Sequence, residues 1–226
     1  MKAPSVTALC FAVVLGAFAG PAAAQDLNVA ATKAGTHVVS SSVGFEDAMV
    51  ASLGYGYAAR VGDRTVMLGG DVTLPWAKVD VGDFRLRVGG LVPVLEGDRW
   101  RLLARLMPVV RGSESGVNRM TNVGLEGGLA GGYYGRRWFA AAELGADWAA
   151  LTYVQHSAAY RHIIYADAKD GWYRTTGMTL RAGLVGGYSF EAVDVVLRAG
   201  QDRDLRLQTL FAPLYVTLGF NARLPF

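Results

Sequence analysis

Residues 214–226 alternate without a slip, and no other stretch of the chain limits its fold so tightly. Leu214, Val216, Leu218, Phe220, Ala222, Leu224 and Phe226 are apolar, while Tyr215, Thr217, Gly219, Asn221, Arg223 and Pro225 fall between them. Side chains of a strand point to opposite faces with period two, so this segment reads as a strand with one oily and one polar face. The same alternation recurs upstream, in Met49, Ala51, Leu53, Tyr55 and Tyr57, in Trp100, Leu102, Ala104 and Leu106, and in Trp138, Ala140, Ala142 and Leu144. Glycine accounts for 29 of the 226 residues. Each costs a helix ~1 kcal/mol relative to alanine, which disfavours long helices.

The opposite end of the chain reads differently. A basic start (Lys2), an apolar stretch over 8–18, then Gly20-Pro21 and Ala22-Ala23-Ala24 before Gln25 make 1–24 a secretory leader with an A-x-A cleavage site. It is shorter than the ~20 apolar residues that a spanning helix needs. Cys10 is the only cysteine and lies in this leader, so 25–226 can hold no disulfide and no thiolate metal site. The exported part suits one domain.

Together, the leader, the alternating strands and the terminal Phe226 resemble the bacterial outer-membrane β-barrels, whose closing strand ends on an aromatic residue read by the insertion machinery. The resemblance is to the class and covers nearly the whole chain. It implies an all-β fold, a closed antiparallel up-and-down transmembrane barrel, in the outer membrane of a Gram-negative-type envelope. It implies as partners outer-membrane lipid, lipopolysaccharide and the barrel-assembly machinery, with Phe226 as the insertion signal. Counting alternating segments gives about ten strands, with eight as the alternative. The first is the least defined and lies within 26–45.

Connections alternate in length, as outer-membrane barrels alternate short periplasmic turns with longer external loops. Turns at Gly62, Gly97, Gly135 and Phe190 are tight; those near Lys78, Ser115 and Asp202 are longer, and 149–175 reads as a long external loop. Trp76, Trp100, Trp138, Trp148 and Tyr188 are the expected interface aromatics. Trp138 and Trp148 share a face ten residues apart, roughly 25 Å along the axis of a tilted strand, the height of an apolar band.

If the oily face meets lipid, the off-phase positions line a lumen. They are Asp71, Arg85, Arg87, Arg101, Arg105, Glu126, Glu143, Asp147, Arg181, Asp194, Arg198 and Arg223. Opposite charges on neighbouring strands allow Arg101 or Arg105 to face Glu126, and Arg181 to face Asp194. Mixed signs in a narrow barrel favour a plug of ion pairs over a conducting path. A soluble barrel would alternate identically with its oily face turned inward. The scarcity of lysine (Lys2, Lys33, Lys78 and Lys169 only) supports the membrane alternative.

Chemistry is sparse. The stretch 153–174 holds His156, Ser157, His162 and Asp167, the ingredients of a rim hydrolase, but no activated-serine motif surrounds Ser157. Arg161 and Arg174 are candidates for lipopolysaccharide phosphates. Gly54-Tyr55-Gly56 is followed by nothing helical, so no dinucleotide fingerprint forms and no cofactor is expected. His37, His156 and His162 lack metal-ligand spacing. A formal charge of +3, scattered along the chain, gives no surface for nucleic acid. The expectation is a porin-like, non-enzymatic envelope protein with a charge-plugged lumen, its external ligand unidentified. The alternatives are a rim enzyme acting on lipid or peptide, and a narrow channel.

Overall fold

A computed structural model describes residues 27–46, 48–76, 82–174, 177–204 and 214–225. Residues 1–26, expected to include a leader over 1–24, lie outside them, as do Lys78 and the terminal Phe226. Among the described residues, ten long strands follow one another, interrupted by one short helix and one short strand. They are β1 (Thr36–Glu46), β2 (Ala48–Val61), β3 (Arg64–Pro75), β4 (Phe84–Glu96), β5 (Trp100–Glu114), β6 (Asn118–Tyr134) and β7 (Trp138–His156). Then come α1 (Ala158–Ile163), β8 (Gly171–Arg174), β9 (Met178–Ser189), β10 (Val193–Asp204) and β11 (Leu214–Pro225).

Every neighbouring pair is antiparallel, and β11 returns to pair with β1 from Thr36↔Pro225 to Glu46↔Tyr215. The sheet is therefore a closed ten-stranded barrel, with β8 as an eleventh strand attached to β7. Closure leaves no sheet edge around the circumference, which matters for a chain held together without disulfides. The tight turn at Gly62 places that residue at φ 61°, a left-handed conformation that glycine adopts without strain.

The two faces of the wall differ most in where they place charge. Outward positions carry the alternating apolar set: Leu144 and Leu184 are 65% and 67% exposed, and Leu53, Leu68, Leu106, Leu197 and Phe220 are exposed with them. Inward positions carry buried charge, with Asp71 and Asp194 at 0%. The oily stripes face out and the ionic set faces in.

Two connections differ from the expected ones. The long loop over 149–175 is mostly ordered structure: β7 runs on to His156, α1 follows, and β8 pairs back on β7 from Leu151↔Arg174 to Val154↔Gly171. The cause is a β-bulge. Val123 pairs with Leu151 but Gly124 pairs with Ala149, so Ala150 is an extra residue. It shifts the phase by one, and the alternation read from the sequence breaks at that point. The connection near Ser115 is also short, because β5 and β6 continue to Glu114 and Asn118, leaving 115–117 as the turn.

Candidate functional site

The lumen is layered. Near the short-turn end lies an apolar floor of Val38, Met67, Leu91, Leu103, Phe139, Val185 and Val196, into which Leu27 packs. These residues sit on the phase that carries charge elsewhere. The same sequence pattern would have revealed the floor had apolar residues on that phase been counted.

Above the floor the charges pair. Arg87 forks onto Asp71, with Nε 2.8 Å from Oδ1 and Nη2 2.5 Å from Oδ2, and its Nη1 donates to Glu126 at 3.2 Å. Arg105 Nη2 lies 3.1 Å from the other oxygen of Glu126, a charge contact without hydrogen-bond alignment. Arg198 Nε donates to Glu143 at 2.6 Å, and the Tyr215 hydroxyl donates to the same carboxylate oxygen. The Tyr215 ring lies under two guanidiniums, Arg181 at 4.7 Å and Arg198 at 5.3 Å. Gly183 and Gly200 make room for it, since a Cβ at either position would collide with its hydroxyl.

Toward the long-loop end, Arg85 donates to Glu46 at 2.8 Å, Arg181 forks onto Asp202 at 2.8 and 2.7 Å, and Arg111 binds Asp147. At the short-turn end Arg223 lies 3.2 Å from Asp194, and Arg101 lies 3.2 Å from Glu96 at the rim. The expected Arg105–Glu126 contact is present. The expected Arg181–Asp194 pairing is not: the register sets Arg181 opposite Asp202 and Asp194, eight residues earlier in β10, opposite Ser189. Glu46, Arg111, Asp202 and Tyr215 belong to the network but were not singled out in the sequence.

Among the described residues, and excluding the pair Arg101–Glu96, the interior pairs use seven arginines (85, 87, 105, 111, 181, 198, 223) and seven carboxylates (46, 71, 126, 143, 147, 194, 202). Formal charge cancels among them, so they set up little net field along the axis. A polar cavity of about 50 Å³ remains between Ser40, Ser52, Asp71, Arg87, Arg198 and Asn221. That is room for a few waters. It is too small for a substrate.

At the long-loop end, β5 to β8 rise as a rim. His156 Nδ1 lies 3.1 Å from Asp170 Oδ1, the His156 amide donates to that same oxygen at 2.8 Å, and Arg161 Nη2 lies 2.5 Å from Oδ2. The Arg161 guanidinium, followed by the His156 amide, holds the Asp170 carboxyl well below the usual carboxylate range. Ser157 is occupied otherwise. Its hydroxyl caps α1 by accepting from the Tyr160 amide at 3.1 Å and donates to the Gly116 carbonyl at 3.1 Å. So His156 meets Asp170, not Asp167, and the serine beside it serves the helix. Among the described residues, no three His, Cys, Asp or Glu side chains converge as a metal site would require.

The predicted aromatics Trp76, Trp100, Trp138, Trp148 and Tyr188 are all exposed on the outer face. Trp138 stacks on Tyr133 at 4.3 Å and pairs with Tyr188 across the strands. Near the rim, Tyr153 meets Trp172 edge-on at 5.4 Å, beside Arg174. No family model matches the chain, and no curated protein matches it.

Proposed function

We propose that this is an integral outer-membrane β-barrel protein of a Gram-negative-type envelope, with a lumen closed by its own ion pairs and a raised rim that serves as a non-enzymatic binding surface. The observation that carries the reading is the inverted polarity of the wall. In water, a belt of exposed leucine, valine and phenylalanine around a whole barrel would far exceed the few hundred Å² of apolar patch typical of soluble monomers. In hydrocarbon that belt is at home, and the closed ladder pairs the backbone from strand to strand all the way round. The tryptophans at its two edges suit the two interfaces, where ring and N–H are both satisfied.

The leader over 1–24 supplies export, the assembly machinery reads Phe226, and Arg174 beside Trp172 suits a lipopolysaccharide phosphate. Arg161, already neutralised by Asp170, is the poorer phosphate ligand. Fractionation of expressing cells, followed by electrophoresis with and without heating, tests the reading. The expected result is a heat-modifiable protein that needs detergent for extraction and gives no ohmic steps in planar bilayers. A protein soluble without detergent overturns the membrane reading, and regular conductance steps overturn the sealed lumen.

A rim hydrolase is the second reading, favoured by the His156–Asp170 contact. Because Ser157 caps α1, it requires a nucleophile other than that hydroxyl. Release of fatty acid from outer-membrane lipid, abolished by His156→Ala in a barrel that still folds, would favour it over the binding surface.

A further inference from the structure

Charge is placed unevenly along the barrel axis. The interior pairs balance, and at the long-loop end five cations (119, 161, 169, 174, 203) meet five carboxylates (83, 114, 167, 170, 204). At the short-turn end seven cations (33, 60, 64, 99, 101, 136, 137) meet only four carboxylates (63, 96, 98, 191). Among the described residues, the whole excess of positive charge therefore stands at one mouth.

Part of that excess borders a groove. Lys33, Arg136 and Arg137 are exposed there beside Tyr188, Phe190 and Val193, around an open volume of about 1050 Å³. None of these three cations forms an ion pair among the described residues, whereas Arg223, also in the lining, lies 3.2 Å from Asp194. Glu191 is the only carboxylate in the lining. The two turns that form the walls are tied together. The Ser189 amide donates to the Arg137 carbonyl at 2.6 Å, and the Asn28 side-chain amide donates to the Gly135 carbonyl at 2.7 Å and the Ser189 hydroxyl at 2.8 Å. Arg223 Nη2 donates to the Phe190 carbonyl at 2.8 Å. The backbone that carries Arg136 and Arg137 is thus fixed, while their guanidiniums have no protein anion to hold.

A furrow continues from the groove along the outer wall. Tyr188 pairs with Trp138, and the next outward row sets Gly186 opposite Ala140, flanked by Leu197 and Tyr133. Two small residues side by side leave a low strip between taller neighbours. A soluble anion would use only the charged side of this arrangement. A phospholipid uses both, since arginine forks match phosphate oxygens and headgroups lie at the level of the interface aromatics. A zwitterionic headgroup would bring its own ammonium against three cations, and like charges brought together are penalised.

We infer that this groove holds an anionic phospholipid of the leaflet opposite the lipopolysaccharide, its phosphate among Lys33, Arg136 and Arg137 and one chain in the furrow beside Gly186 and Ala140. The inference rests on the membrane reading, which fractionation tests by itself. A detergent-requiring, heat-modifiable barrel with no lipid preference would sink the lipid site and leave the membrane reading standing.

The exported protein, folded in detergent micelles at low ionic strength, is titrated with phosphatidylglycerol and with phosphatidylethanolamine of the same chains. Native mass spectrometry counts the bound lipid, and heat-modifiable mobility first selects the folded molecules of each variant. The expected result is one phosphatidylglycerol bound about tenfold or more tighter than phosphatidylethanolamine, the scale of two basic side chains near an anionic headgroup. Arg136→Gln/Arg137→Gln should bring the two lipids within about twofold of each other. Arg60→Gln/Arg64→Gln removes the same charge from the β2–β3 turn and should leave the preference intact. Ala140→Leu fills the furrow and should weaken both lipids alike. Glycerol phosphate, with the charge but no chain, should displace neither. Equal affinity for the two lipids in the unaltered protein overturns the inference, as does a preference that survives the Arg136/Arg137 change or is lost with the Arg60/Arg64 change. Unweakened binding in Ala140→Leu, or displacement by glycerol phosphate, overturns it too.

Discussion

Arg87 and Arg161 each come within 2.5 Å of an aspartate, and the two pairs differ in little but their surroundings. The first lies between barrel walls, with the Asp71 side chain at 0% exposure; the second stands in the rim, with Arg161 at 40%. Inside, each charge has been removed from bulk water and depends on protein partners, Arg87 on both Asp71 and Glu126. In the rim, water replaces a lost partner at small cost. The same two residue types thus act as a necessity in one place and as an adjustable tie in the other.

Arg87→Met is the severest way to break this contrast. It leaves Asp71 and Glu126 buried with one cation fewer, and a loss of about 3–5 kcal/mol is expected, read as a lower urea midpoint for the heat-modifiable band. An unchanged midpoint would mean that water reaches the lumen freely. Next comes Gly183→Ala, which drives a methyl into the Tyr215 hydroxyl and the Ala199 carbonyl. Overpacking of this kind costs about 1–3 kcal/mol in the same assay.

Asp170→Asn is the mildest change. The urea midpoint should stay where it is, while α1 and its flanks become more sensitive to limited proteolysis. Acid gives the same tie a distinct signature. A carboxyl whose pKa falls on folding contributes above its ordinary value of about 4 and loses that contribution as the pH drops through the lowered value. Protease resistance of the rim should therefore survive well past the ordinary titration of aspartate and disappear only in stronger acid. Loss near the ordinary value would show that Arg161 and the His156 amide do not hold Asp170.

The wall was legible in the sequence because period two sorts residues onto two faces. The phase of Leu53, Leu68, Leu106 and Leu144 separated them from the set running from Asp71 to Arg223, but a soluble barrel would show the same period, and only the scarcity of lysine and the resemblance pointed to which set faces in. Pair identities were not legible. They depend on register along the strands, and that is why Arg181 meets Asp202 in place of Asp194. Nor was the rim, where one bulged residue at Ala150 hides the strand beyond it. Leu27 and Asn28, which precede β1, follow no period at all, and the Asn28 side chain donates to the Gly135 carbonyl and the Ser189 hydroxyl, more than a hundred positions away.

The strands are of unequal height: β1 has 11 residues and β7 has 19. On the proposed outer-membrane reading, the crest at 115–117 stands further from the lipid than the low side beside Glu46 and Ala48. An epitope grafted at the crest is then expected to be more accessible to an antibody on intact cells than the same graft on the low side.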